Sequence, residues 1–180
     1  MGAALVSPAA LYAPPRVEPK PVPTPTWWDH FDQHRDLVMP PQVYSWTCSI
    51  CASTWVLQAT GAYPDAAREA IGAQIGYPHC VNEAVGLAST QCLVDLFAAY
   101  GFAPHQEWVD WNRALDLCRE TTGVLNSTRW YHFVGVRGLY GSNTLWVANS
   151  APGYQGIWDQ VGYGQFQQWA GSWQMVWLEH

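Results

Sequence analysis

The sequence predicts an α+β domain in which a helical lobe packs against an antiparallel sheet. Two changes of texture carry that prediction. Up to about residue 121, apolar residues recur at the spacing of helix faces; after Gly123 the chain breaks into short runs rich in aromatic and β-branched residues, parted by glycine, asparagine and serine. Helices first and strands second is the order of an α+β chain. Length is the third observation: 180 residues suffice for one ordinary core and fall short of two.

Along the chain, the opening MGAALVSPAALYAPP is apolar but lacks a positively charged start, and Pro14 and Pro15 interrupt it well before a bilayer would be crossed. No membrane segment is expected. Residues 13–26, APPRVEPKPVPTPT, alternate proline with small or charged residues and predict an extended polyproline-type arm. The division is therefore an arm over 1–26, a domain over 27–178 and a tail at 179–180, because the ending Leu-Glu-His resembles a cloning scar running into a histidine tag. From Thr47 to Ala59, Cys51, Ala52, Trp55, Val56 and Ala59 mark one helix face, and Gly61 supplies a stop. Further helical patterns cover 65–75, 84–100 and 110–121, with Cys92, Leu96, Phe97 and Tyr100 in register in the second of these. The runs RWYHFVGVRG, TLWVANS and SWQMVWL predict strands. There is no internal repeat.

Composition narrows the function. A net charge of −6 with only eight scattered Lys and Arg excludes a nucleic-acid partner, since neutralising phosphates needs clustered cations. Twelve tryptophans either fill a core or line a groove. Five cysteines, an odd number in a full-sized domain, imply at least one free thiol and leave the pairing of Cys51, Cys80, Cys92 and Cys118 open.

The chemistry centres on Cys48, at the start of the first helix, where partial positive charge and unpaired N–H groups favour a thiolate. A thiol nucleophile needs a base, and histidine near its ordinary pKa suits that task; it also needs a third group to hold the imidazole in one tautomer. His132 opens the strand HFVGV and Asn149 ends LWVAN, so antiparallel pairing brings them together. Gln42, six residues before Cys48, is placed to fold its amide over the thiol as a donor to a developing oxyanion. Tyr44 and Trp46 either pack or wall a groove for an extended peptide.

The set Gln42, Cys48, His132 and Asn149 resembles the papain-like cysteine peptidases. WTCSICASTWVLQATG, HFVGV and VANSAPGYQG followed by FQQWAG are closer still to the peptidases that cleave bacteriocin double-glycine leaders, and to the related protease domains of endolysins from phages of mycobacteria and other actinobacteria. The resemblance covers 42–61 and 130–178. It implies a papain-like fold and a thiol endopeptidase acting on peptidoglycan peptides, with Cys48 as nucleophile, His132 as base, Asn149 as its orienter and Gln42 in the oxyanion hole. Metal and organic cofactors are not required. It further implies a monomer made in the host cytoplasm and acting at the cell wall after release, alone or with a wall-binding or glycan-cleaving domain, without membrane or nucleic-acid partners. The sequence departs from the leader peptidases in carrying Asn149 for the usual aspartate and Ser49-Ile50 for Gly-Pro.

Rival readings are a leader or protein-processing peptidase and a non-catalytic wall-binding module. A thioredoxin-like redox pair at Cys48 and Cys51 conflicts with the antiparallel patterning. A zinc set of Cys48, Cys51, His79 and Cys80 has a poorly spaced second half. Cys51, Cys92 and Cys118 read as small core residues, and His30, His34 and His105 as surface or satisfied core residues.

Overall fold

The computed structural model describes residues 39, 41–76, 79–129, 131–139, 145–151, 158–161, 168 and 173–179. The proline-rich arm, Trp27, Trp28, His30, His34 and all of the segment FQQWAG but Gln168 lie outside them.

The chain runs α1 (Cys48–Ala59), α2 (Arg68–Gln74), β1 (Val81–Asn82), β2 (Gly86–Leu87), α3 (Gln91–Ala99), β3 (Ala103–Val109), α4 (Trp111–Glu120), β4 (Thr122–Ser127), β5 (His132–Leu139), β6 (Leu145–Ala148), β7 (Trp158–Val161) and β8 (Trp173–Glu179). Strands β3 to β8 form one antiparallel sheet in the order β3-β8-β4-β5-β6-β7, and β1 pairs with β2 as a small hairpin. This is the α+β architecture that the sequence predicts.

Each sheet face buries a different half of the alternation. Phe133, Val124, Val176, Leu178 and Ala148 join a core with α1, α2 and α3, whereas Val134, Val136, Leu125, Met175 and Val147 join a second core with Ala114, Leu115, Leu117 and Cys118 of α4. The sheet is thus covered on both sides.

Helix α1 lies along β5 and is fixed to it at three places. Near its start, the Phe133 N–H bonds the Cys48 sulfur. Two turns on, fully buried Trp55 fills the space that Gly135 leaves open; a Cβ at Gly135 would sit 2.3 Å from Trp55 Cε3. At its end, Arg137 Nη1 donates to the Ala59 carbonyl at 3.0 Å, which places a cation at the negative end of the helix. Burial pulls the Arg137 pKa down to about 10, so it stays charged at neutral pH. Phe133, Gly135 and Arg137 share a face because strand side chains alternate, and this period brings one residue of each kind to the helix.

The structure departs from the sequence reading in three places. Helix α3 begins at Gln91, not at 84, because Asn82 Oδ1 accepts the N–H groups of Ala84 (3.0 Å) and Val85 (3.1 Å) and Gly86 takes φ 68°, which closes a hairpin instead. Strand β3 is unforeseen: it lies at the sheet edge, tolerates Pro104 and is exposed on alternating faces, so its sequence lacks a buried face to alternate toward. Strands β4 and β7 are also additional to the runs named from sequence. Leu178 is fully buried and Glu179 is the last residue of β8, where its carboxylate meets His105 Nε2 at 2.7 Å.

Cys80 and Cys92 form a disulfide, with Cα atoms 6.0 Å apart, which fastens the base of the β1–β2 hairpin to the first turn of α3. Cys92 is thus a core residue, as read, but one joined in a disulfide, and Cys80 is removed as a thiolate ligand. Cys48, Cys51 and Cys118 are free and buried.

Replacing Gly135 by alanine forces its new methyl into the Trp55 ring and Met39, and is expected to cost about 1–3 kcal/mol of stability. A lowered urea midpoint with unchanged slope checks this.

Candidate active site

The site is assembled at the N-terminus of α1. Thr47 is its N-cap, yet makes no side-chain cap bond to the helix, and no acidic residue occupies the first turn. The Thr47 hydroxyl is committed backwards: it donates to the Tyr44 carbonyl at 2.8 Å and accepts the Tyr44 N–H at 3.3 Å. The helix-start amides therefore remain uncapped. The Cys48 sulfur meets its own N–H and those of Ser49 and Phe133.

Burial nevertheless dominates. The Cys48 thiol is raised above its ordinary range by desolvation, against which the three N–H groups act only in part. The expectation of a lowered thiol pKa is corrected: helix-end amides stabilise the anion, but a side chain only 4% exposed loses more from leaving water. Cys48 rests as a thiol.

His132 is the first residue of β5, directly before the Phe133 whose N–H holds the sulfur. Its Nε2 lies 2.7 Å from Asn149 Oδ1, which also accepts the Ala151 N–H at 2.9 Å. An oxygen that accepts two bonds fixes the amide's sense, and an acceptor opposite Nε2 puts the imidazole proton there. In the neutral ring, Nδ1 then keeps its lone pair. Burial lowers the His132 pKa, opposed by the Asn149 bond, so neutral imidazole is the resting form.

Gln42 is half-buried. Its N–H donates to the Ser150 carbonyl at 3.2 Å and its Oε1 accepts from the Ser150 hydroxyl at 3.1 Å. With Oε1 engaged, Nε2 is the end with donors to offer. Tyr44 and Trp46 stack with ring centroids 5.5 Å apart and planes 5° from parallel; Tyr44 is exposed and Trp46 half-buried. With Val43, Thr47 and Ile50 they line a surface groove of about 240 Å³, closed on the α2 side by Arg68, Glu69 and Gly72.

Cys51 is fully buried one turn beyond Cys48. Burial pushes its thiol up to about 11, opposed above all by the nearby Arg68 charge, while nearby Cys48 adds to the rise. Cys118, on the buried side of α4, is pushed to about 12 by burial alone. His105 stacks on Trp177, with centroids 4.5 Å apart, and pairs with Glu179 at the surface.

Cys48 thus meets the residue after His132, His132 meets Asn149, and Gln42 meets the residue after Asn149, so chained contacts link these positions from 42 to 149. Ser150 and the Phe133 amide are the participants that spacing did not reveal. The dipeptide Asn149-Ser150 is the available signal for Ser150; a backbone N–H carries none.

No family model and no curated protein match the chain. Among solved structures it is similar to the crystal structure of a double glycine motif protease from an AMS/PCAT transporter in complex with the leader peptide, at 14% sequence identity and TM-score 0.56, over 81% of this chain and 94% of that one. The two share a fold, and this chain accordingly has the papain-like architecture that its motifs imply.

His132 binds a proton less readily when folded than when unfolded, so the unfolded chain takes up more protons as pH falls through the ordinary value of 6.5. The stability contributed by the neutral imidazole is complete above 6.5 and is lost as pH falls toward the lowered folded pKa. His132→Gln is expected to flatten that part of the acid dependence, as read by urea melts on either side of 6.5.

Proposed function

We propose that the chain is a cysteine endopeptidase. Cys48 Sγ attacks the scissile carbonyl as His132 Nδ1 takes the thiol proton, and Gln42 Nε2 with the Cys48 N–H binds the oxyanion. Collapse expels the amine, which receives the proton from His132; water activated by the same nitrogen then releases the acyl group. Asn149 orients the ring throughout. With the Cys48 thiol and the His132 imidazole both neutral at rest, the proton moves at the moment of attack, so no ion pair is carried at rest. The observation that carries this reading is the seating of the Cys48 sulfur on the β5 backbone next to His132, whose Nε2 is committed to Asn149.

For the substrate, we favour a leader or processing segment bound as an extended peptide, with Tyr44 and Trp46 walling the groove. The shared fold with a protease whose structure contains a leader peptide supports it. A second reading, cleavage of peptidoglycan stem or cross-bridge peptides by an endolysin-type domain at the cell wall, draws support from the Cys80–Cys92 disulfide, because such bonds persist in oxidising compartments outside the cytoplasm.

Limiting iodoacetamide near neutral pH is expected to label Cys48 ahead of Cys51 and Cys118, as mapped by mass spectrometry. Equal labelling of all three would favour a non-catalytic binding module. Cys48→Ala should lower peptide cleavage by at least about a thousandfold. A double-glycine leader peptide and purified actinobacterial peptidoglycan, each assayed for new amines, separate the two substrate readings; cleavage by wild type and Cys48→Ala alike would remove Cys48 from the mechanism.

A further inference from the structure

Gln42 stands on an irregular segment, outside any helix or strand, yet its amide needs a fixed direction if it is to receive an oxyanion. The peptide unit that sets that direction joins Pro41 to Gln42. Its N–H end is held by the Ser150 carbonyl at 3.2 Å. Its C=O end accepts from Nη1 of Arg68, on the first turn of α2, at 2.5 Å. Both polar ends of one rigid plane are therefore held, from opposite sides, by groups far away in sequence. The Cys51 thiol is near both clamps, with Arg68 the stronger influence on it and Ser150 the weaker.

Arg68 has a competing partner, Glu69 Oε1, at 3.3 Å from Nη2. That carboxylate is 78% exposed, where an ion pair contributes little. The guanidinium fork serves the Pro41 carbonyl with one nitrogen while the other faces Glu69, a division that a lysine ammonium reproduces only in part.

We propose that Arg68 is a positioning residue for the oxyanion donor: by clamping the Pro41 carbonyl it fixes the Pro41–Gln42 peptide plane and, through it, the aim of Gln42 Nε2. This rests on the oxyanion role assigned to Gln42 above.

Two reagents isolate the effect. Acylation of Cys48 by p-nitrophenyl acetate passes through a tetrahedral oxyanion, whereas alkylation by iodoacetamide displaces iodide and forms none. Gln42→Ala is expected to slow acylation about a hundredfold, the usual loss for one oxyanion donor, and to leave alkylation unchanged. Arg68→Met keeps the stem that packs and removes the donors; it is expected to slow acylation about tenfold, a partial misalignment, again with unchanged alkylation. Arg68→Lys, retaining one donor, should stay within about threefold of wild type. In a Gln42→Ala background, Arg68→Met should cost nothing further, because the group it aims is gone.

If Arg68→Met slows acylation and alkylation together, or adds its full effect to Gln42→Ala, or has no effect while Gln42→Ala does, the positioning role is overturned and the oxyanion role of Gln42 stands. If Gln42→Ala itself leaves acylation unchanged, the oxyanion role falls and the role of Arg68 falls with it. Should Arg68→Met fail to fold, Arg68→Lys decides: a loss of acylation equal to that of Gln42→Ala would overturn the proposal.

Discussion

Everything in this molecule is indexed to the contact between Trp55 and Gly135. An indole that fills the place of a missing side chain lets the α1 backbone approach β5 closely, and close packing there opposes sliding. Since a helix advances about 1.5 Å per residue and a strand about 3.3 Å, fixing that one pair leaves the start of α1 opposite the start of β5 and its end opposite Arg137. The thiol meets the Phe133 amide, and hence the neighbourhood of His132, as a consequence of packing two turns away. The buried guanidinium at the far end guards the same alignment, because moving the helix by a turn would strand a charge.

This arrangement also separates the two cysteines of Cys-Ser-Ile-Cys. Both are buried, and for both desolvation opposes the anion. Cys48 sits where helix-start and strand amides converge; Cys51 sits among Arg68 and Ser150, the groups that brace the preceding segment. One thiol is surrounded by donors suited to transient charge, and the other joins a brace.

The helix that bears Cys48 was legible from Cys51, Ala52, Trp55, Val56 and Ala59 and from Gly61, whereas its burial on all sides, with Ser49, Ser53 and Thr54 inside as well, was not. Residues Cys48, His132 and Asn149 were legible because each stands at the end of a predictable element, where the backbone limits the directions available to a side chain. Gln42 was legible only by its fixed offset from Cys48. Other features left no periodic trace. The hairpin at 81–87 turns on the local bonds of Asn82 and on Gly86, which a helical pattern of small residues conceals. Among the described residues, edge strand β3 has no second sheet neighbour to impose alternation. The raised pKa of Cys48 depends on how completely the fold dries the site, a three-dimensional quantity. Ser150 and Arg68 act across 108 and 27 residues, through a hydroxyl and a guanidinium whose partners no spacing rule supplies.

The Cys80–Cys92 bond lies at the base of a hairpin whose Gly86 rests against the backbone of Trp46, with the nearest atom 3.6 Å from where its Cβ would stand. Two-residue strands hold little by themselves, so this covalent tie supports the hairpin on which the backbone of Trp46, a groove residue, rests. The habit of protecting a reactive cysteine with dithiothreitol therefore works in two opposed senses here: the additive that shields one sulfur from air also unpicks the seam near it. Purification chemistry for this protein is a choice between those ends, and a preparation's history becomes part of its measured properties.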